Sequence, residues 1–256
     1  PGSEARPLTS GSAPRWSPTR LELGFLRDVG ETSMLHVIDV ETEVERGIGT
    51  GSVQSFDWAP EGERFVVVGL WPEFDSNDAL YIVDASSGEA LRIDPDPPNV
   101  GGLPTDGLPA WSPDASTIAF VSLGRSDEDA FSRIYRIDPD GTNFEIIPGQ
   151  DSHGAFGPWW SPSNRLAYSY WYFDAVLPSD YGVANVDAGT GSGSRLQAAR
   201  DVVWSPDETG QAVVVLTSEG TTRIEVSVAG EPSWSPDPAP PSWFDERPAW
   251  RPLPSG

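Results

Sequence analysis

Six copies of a short motif, in which a proline lies two residues after a tryptophan, recur at similar intervals along the chain, and an extra copy lies at Trp234. The shortest spacing, from Trp16 to Trp58, is 42 residues, and the longest, from Trp58 to Trp111, is 53. A repeat of roughly 40–50 residues is typical of β-propeller blades or of solenoid units. This spacing therefore constrains the fold more than any other feature. The repeated tryptophans are Trp16, Trp58, Trp111, Trp160, Trp204 and Trp250.

The sequence between two motifs predicts short β-strands. After Trp111, residues 117–122 form an apolar run, residues 133–137 alternate with period two, and residues 144–147 follow a turn at 138–141. With the strand that ends at the tryptophan, each unit predicts four antiparallel strands, A to D, and no segment shows helical periodicity. We expect an all-β propeller with five blades, the alternative being six blades of which one is incomplete.

The motif itself suits the turn between strands A and B. Proline fixes the φ angle that the second position of a type I turn needs, serine suits the first position and glycine the fourth. Only the second copy has that glycine, Gly62. We expect the repeated tryptophans to fill the space between neighbouring blades, where a large side chain buries much apolar surface, and not to bind a ligand.

Residues 109–114 read Pro-Ala-Trp-Ser-Pro-Asp, and residues 80–84 and 134–138 each end an apolar strand in Asp. This pattern resembles the WD-repeat-like propeller repeat of TolB-type proteins over nearly the whole chain. The resemblance implies a propeller, with six blades in that family. It does not fix the function, because one propeller can serve as an interaction platform, an enzyme or a peptidase gate.

A repeat that runs from end to end predicts a single domain over residues 1–256, with a proline-rich C-terminal segment at 230–256. The fifth unit has no good fourth strand of its own. Residues 6–9 resemble the closing strand of a repeat, so we expect the N-terminus to complete the last blade.

The charge and composition exclude several classes of partner. The net charge is −23 and every basic residue is arginine, so a nucleic acid is a poor partner whereas a basic protein is a plausible one. No apolar run is long enough to span a membrane. The chain has 0 cysteines, which excludes disulfides and thiolate metal sites. With the kind of repeat, this favours an extracytoplasmic location.

The candidate binding residues lie in the B–C loops and the D–A connections, because propeller ligands usually bind on that rim. The inserted sequence on this rim is rich in aromatic and acidic residues, which suits a binding surface. The candidates are Trp71, Phe74, Asp127, Asp129 and His153.

No catalytic or metal-binding residue is predicted. The two histidines, His36 and His153, lie far apart in the sequence, and no Gly-x-Ser-x-Gly motif occurs. Residues 75–78 and 127–129 supply carboxylates for a structural Ca²⁺, but neither has the full calcium-loop pattern.

Three hypotheses follow for the function. The first is a non-catalytic extracytoplasmic propeller that binds another protein through its loop rim or central channel. The second is part of a hydrolase, as the gate domain of a prolyl-oligopeptidase-like enzyme or as a carboxylate-based glycosidase. The third is assembly of subunits through the C-terminal segment and the incomplete last repeat.

Overall fold

Nineteen strands form five antiparallel sheets in the part of the chain that the structure describes. No α-helix occurs among these residues. The structure is a computed structural model, and it describes residues 7–71, 78–94, 108–123, 132–150, 153–172, 180–205, 207–217 and 222–228.

Each sheet is one blade, and its strands follow one another in space in chain order. Blade one contains β1 (Ser12–Trp16), β2 (Glu22–Val29), β3 (Thr32–Asp39) and β4 (Glu45–Gly47). Blade two contains β5 (Ser52–Trp58), β6 (Arg64–Leu70), β7 (Ala79–Asp84) and β8 (Ala90–Arg92). Blade three contains β9 (Ala110–Trp111), β10 (Ile118–Leu123), β11 (Ser132–Ile137) and β12 (Glu145–Ile146).

Blade four contains β13 (His153–Trp160), β14 (Leu166–Tyr172), β15 (Tyr181–Val186) and β16 (Gly193–Gln197). Blade five contains, in its described residues, β17 (Ala199–Trp204), β18 (Gly210–Leu216) and β19 (Thr222–Val228). The predicted all-β propeller with five blades is confirmed. The C-terminal segment at 230–256 and Trp250 lie outside the described residues.

The first strand of each blade lies at the centre of the molecule. β1 contacts β5, β5 contacts β9 and β9 contacts β13, so the A strands of successive blades converge. The C strand of one blade also packs against the A strand of the next, as β3 does against β5 and β15 does against β17. Side chains on the A strands therefore surround the central channel.

The hydrophobic core consists of walls between consecutive blades. On β6, Phe65 and Val67 pack into the wall with blade one, whereas Val66 and Val68 pack into the wall with blade three. All four side chains are fully buried. Because side chains alternate between the two faces of a strand, a central strand that is apolar at every position buries both faces.

The repeated tryptophans join neighbouring blades. Trp58 is 4% exposed and its Nε1 donates to the carbonyl oxygen of Arg15 in blade one, at 3.1 Å. Trp160 is half-buried and its Nε1 donates to the carbonyl oxygen of Ala110 in blade three, also at 3.1 Å. Trp111 is as buried as Trp58, and Trp16 and Trp204 are half-buried.

The A–B turns form as the motif predicts. The backbone N–H of the fourth turn residue donates to the carbonyl of the first, as Gly62 does to Ala59 at 2.8 Å. In blades three, four and five, where glycine is missing, the fourth residue still adopts a left-handed conformation: φ is 60° at Ala115, 62° at Asn164 and 55° at Glu208. This conformation costs a residue with a Cβ roughly 1–2 kcal/mol. Blade one differs, because Arg20 has no positive φ and its backbone N–H donates to Ser17 Oγ at 3.3 Å.

The expected closing strand at the N-terminus is wrong for the residues that the structure describes. Residues 7–11 form no strand. Thr9 instead donates from its hydroxyl to Glu45 Oε2 of blade one at 3.1 Å, and Arg27 binds both of these side chains. The described N-terminal residues are therefore held to the first blade by a carboxylate and a guanidinium.

Candidate interaction surface

Every blade has two ends with different connections. We call the end with the B–C loops and the D–A connections the rim end, and the end with the A–B and C–D turns the turn end. In blade one the rim end holds the tight hairpin between Val29 and Thr32 and the connection from β4 to β5. The sequence analysis assigns the candidate binding residues to the rim end, and the structure describes two of them, Trp71 and His153.

Trp71 is buried at this end. It is 3% exposed, and its ring centroid lies 5.1 Å from that of Tyr81 in the wall between blades one and two. A Cβ added to Gly49 or Gly51 would come within 3.0 or 2.3 Å of the indole ring. These two glycines make the space that the ring fills, so we assign Trp71 to packing rather than to an exposed anchor.

The remaining predicted residues are mostly beyond the described part of the chain. Phe74, Asp127 and Asp129 lie outside it, and so does most of each candidate calcium segment. His153 begins β13 and pairs in register with Tyr172 of β14, which places it at the rim end of blade four. The described residues hold no group of three or more His, Cys, Asp or Glu placed to bind a metal ion.

Three aromatic side chains that were not among the predicted binding residues lie on one face of blade four, towards its rim end. They come from β13, the end of β14 and the start of β15, and each is half-buried. We name them the blade-four cluster: Phe156, Trp171 and Tyr181. Tyr172 lies on the opposite face of β14, where it packs against the wall with blade three.

The geometry of the blade-four cluster is fixed by a glycine. Gly154, Trp171 and Tyr181 lie side by side across three strands. A Cβ on Gly154 would come within 2.4 Å of the indole of Trp171, so the ring lies directly against the backbone of β13. The ring of Phe156 packs on the same indole, with 5.4 Å between centroids. The backbone of β13 at Gly154 and the ring of Phe156 therefore both hold the indole in place.

Blade one has polar side chains at the matching positions. Counting along the strands from the tryptophan pairs Trp16–Leu23 and Trp160–Leu166, Ser12, Asp28 and Ser33 correspond to the aromatic residues of β13, β14 and β15. Ser33 Oγ donates to Asp28 Oδ1 at 2.5 Å. The same backbone positions thus carry a hydrated pair in blade one and an aromatic cluster in blade four.

A cavity of about 180 Å³ lies between the inner strands of blades one to four. The indoles of Trp111, Trp159 and Trp160 form much of its wall, and Arg15 and Asp57 supply charged groups. Asp57 Oδ2 also accepts the backbone N–H of Trp111 at 3.0 Å, which ties blade two to blade three. The cavity is smaller than the roughly 300–1,000 Å³ typical of small-molecule pockets.

Several carboxylates at the turn end accept hydrogen bonds from the backbone of the turns in which they lie. The C–D turn of blade one begins at Asp39, whose Oδ1 accepts the backbone N–H of Thr42 at 2.8 Å. Asp187 accepts that of Thr190 at 2.8 Å in the same turn of blade four. These backbone hydrogen bonds, followed by those from the threonine hydroxyls, lower the pKa of Asp39 and of Asp187 because they favour the charged form.

The A–B turn of blade five has the same chemistry. The hydroxyl of Ser205 donates to Asp207 Oδ1 at 2.6 Å, and Thr209 donates to the same oxygen at 2.8 Å. These bonds, that of Ser205 first, lower the pKa of Asp207 to about 2. These aspartates are ionised at neutral pH and hold turns together, so they add to the negative field of the turn end.

Comparison with solved structures relates this geometry to known proteins. TolB from Acinetobacter baumannii has a TM-score of 0.63 and 17% identity over 89% of this chain. The fold is that of a TolB-type β-propeller. An oligogalacturonate lyase from Vibrio parahaemolyticus has a TM-score of 0.62 and 16% identity over 89% of this chain. A prolyl endopeptidase has a TM-score of 0.58 and 16% identity over 88%.

The likeness extends to the fold and not to the whole of the other proteins. The chain spans 54% of the TolB chain, 66% of the lyase and 36% of the endopeptidase. Its sequence matches no family model and no curated protein. Within the described residues no helix has the length and hydropathy of a membrane span. The solved structures that the chain resembles include a lyase, an endopeptidase and TolB, so the fold leaves the function open.

Proposed function

We propose that this chain is a non-catalytic, extracytoplasmic propeller that binds another protein at its rim end and at the central channel. The inner cavity, which lies near the turn end of the A strands, carries the part of the proposal that concerns the central channel. Its volume of about 180 Å³ is too small for an ordinary substrate but suits one side chain inserted by a partner. Three tryptophans contribute to its lining, and tryptophan is enriched among the residues that concentrate binding energy at interfaces.

The charge of the chain points to a basic partner. The net charge is −23, and the cavity lining holds one carboxylate, Asp57, and one guanidinium, Arg15, so the preference for a basic partner comes from the charge of the whole chain. Complementary charge raises the association rate and orients the partner, while apolar contacts supply most of the affinity. A partner with a positively charged surface and one protruding side chain fits this site.

The test begins with affinity capture of a partner from extracts of the source cells. Asp57→Asn removes the charge and keeps an acceptor for the backbone N–H of Trp111. We expect this variant to bind the captured partner at least about fivefold more weakly at low salt, with a smaller loss at high salt. Glu41→Gln, on the exposed turn end, is the matched control and should bind like the parent.

Two results would contradict the proposal. One is equal binding of the partner by the parent and by Asp57→Asn at every salt concentration. The other is turnover of a peptide or glycoside by the purified chain. Fractionation of the source cells tests the location separately, because recovery of the chain with cytoplasmic markers would exclude the extracytoplasmic part of the proposal.

Membership in a larger hydrolase is the second candidate, and the likeness to a prolyl endopeptidase favours it. The chain aligns with 36% of that protein, as a propeller region within a longer enzyme would. A coding sequence that continues into an α/β-hydrolase region with a nucleophile elbow would favour this candidate over the first.

A further inference from the structure

The blade-four cluster is an unusual surface for a chain with this composition. Trp171, Tyr181 and Phe156 are all half-buried on one face of one sheet, towards its rim end. A contiguous aromatic surface of this kind commonly marks an interaction site, whereas apolar side chains scattered singly do not. Tryptophan and tyrosine are also the residues enriched in binding hot spots.

The cluster is pre-organised. The indole of Trp171 rests on the backbone at Gly154 and on the ring of Phe156, so binding a partner would order few new side chains. Pre-organised groups bind more tightly because the conformational entropy cost has already been met during folding. A hydrated serine–aspartate pair occupies the same place in blade one, so the fold does not itself require aromatic residues here.

The negative charge of the chain indicates which kind of ligand the blade-four cluster favours. Asp180 directly precedes Tyr181 in the chain, and it is half-buried. Arg200 lies on β17 of the next blade. With a net charge of −23 on the chain, a cation is favoured over an anion at this surface.

Aromatic rings bind such cations directly. A guanidinium over an indole or phenol ring is attracted by the ring quadrupole, most strongly over tryptophan. The chain already uses this contact internally, since Arg64 lies 5.0 Å from the ring centroid of Trp111 and Arg195 lies 5.4 Å from that of Tyr170.

We propose that the blade-four cluster is the docking site for an arginine-bearing segment of the protein partner, with the guanidinium on Trp171 and the flanking apolar side chains on Tyr181 and Phe156. This inference rests on the proposed function, because it locates the surface through which the propeller binds its partner. It adds the residues and the chemistry of the segment that they bind.

The probe is a short peptide of alternating arginine and leucine, compared with one in which uncharged citrulline replaces arginine. The full chain is labelled with 5-fluorotryptophan, and the ¹⁹F signal of Trp171 is assigned from the Trp171→Phe variant. We expect the arginine peptide to shift that signal saturably and to bind about tenfold more tightly than the citrulline peptide.

Tyr181→Ser provides a matched substitution, because serine stands at this position in blade one. We expect it to weaken the arginine peptide about fivefold, Tyr181→Phe to preserve binding, and Asp28→Asn in blade one to have no effect. Thermal melts confirm that each variant is folded. A signal of Trp171 that does not move, or equal affinity for the two peptides, would overturn the inference.

Two further outcomes separate the possible failures. If a neutral oligosaccharide moves the signal of Trp171 and the arginine peptide does not, the cluster binds carbohydrate and the inference fails. If a captured partner binds the parent and Tyr181→Ser equally, the inference fails but the proposed function stands. If the parent captures no partner, the proposed function fails, whatever the peptide does.

Discussion

Blade one and blade four have the same strand order and contain the same Trp-x-Pro turn motif, but their rim ends carry different side chains. In blade one, Ser33 donates a hydrogen bond to the exposed Asp28. In blade four, Trp171 and Tyr181 occupy the matching positions and are half-buried. The repeat therefore does not determine what lies at the rim.

The difference shows which parts of a blade are constrained. Residues in the walls must fit the neighbouring blade, so every unit places large apolar side chains there. Residues at the rim face solvent, so substitution costs little stability and binding can determine their identity. The walls should therefore be sensitive to substitution in every blade, whereas binding should depend on the rim of blade four.

The largest effects are expected in the walls. Trp58→Ala should lower the free energy of unfolding by about 3–5 kcal/mol, since it empties a buried site and removes the bond to Arg15. Trp160→Ala should cost about 2 kcal/mol because Trp160 is half-buried. Chemical denaturation measures both. Leu21→Ala, at a side chain 45% exposed, is the control, and tryptophan variants no less stable than this control would contradict the wall assignment.

The support beneath Trp171 gives the next largest effect. Gly154→Ala should destabilise the chain by about 1–3 kcal/mol, because the added methyl overlaps the indole, and should displace Trp171. Gly47→Ala in blade one is the matched control, since its Cβ would lie 3.8 Å from the nearest atom. Denaturation and the ¹⁹F signal of Trp171 report the two effects. An unchanged signal in Gly154→Ala would mean that the glycine does not position the ring.

The A–B turns give effects of opposite sign. Ala115→Gly should stabilise the chain by about 1 kcal/mol, because Ala115 has a φ of 60° that glycine adopts freely. In blade one the corresponding residue is Arg20, which has no positive φ, so Arg20→Gly should destabilise by about 0.5 kcal/mol. Thermal melts of the two variants should move in opposite directions. A shift in the same direction would contradict the difference between the turns.

The smallest effect is the acid dependence of the C–D turns, which blades one and four share. Hydrogen bonds lower the pKa of Asp39 and Asp187 in the folded chain, so their stabilisation is complete above the unfolded pKa, near 3.8, and is lost as the pH falls through the folded value. Asp39→Ala and Asp187→Ala should therefore both be less stable than the parent at neutral pH, and the gap should narrow in acid. Denaturation midpoints measured across this range check it. A gap that widens in acid would contradict the assignment.

The architecture could be predicted because the tryptophan spacing and the alternation of apolar and polar residues within each unit are patterns that can be seen in the sequence itself. The turn at 138–141 and the strand at 117–122 follow from the sequence alone, and the structure confirms both, with the strand at Ile118–Leu123. The position of the N-terminal residues could not be predicted in this way. It depends on the side-chain hydrogen bond between Thr9 and the distant Glu45, which no local pattern in the sequence indicates.

The candidate site was harder to predict, and two tryptophans show why. Trp71 and Trp171 both lie at the rim-side end of a B strand. Trp71 is buried because Gly49 and Gly51, in a connection from the preceding blade, leave room for its ring. Trp171 lies on Gly154 of its own blade and is only half-buried. Exposure at the rim depends on neighbouring segments. The residues around Trp171 therefore carry no local pattern that would mark its side chain as part of a surface.

Hydrogen exchange of the propeller with its captured partner tests the central claim most directly. The account predicts slower exchange on binding in peptides from β14 and the start of β15, and unchanged exchange in the matching peptides from β2 and β3 of blade one. Because both regions are measured in one sample, differences in stability between variants do not enter. Protection of blade one, or of both blades equally, would contradict the claim that the rim of blade four is the binding surface.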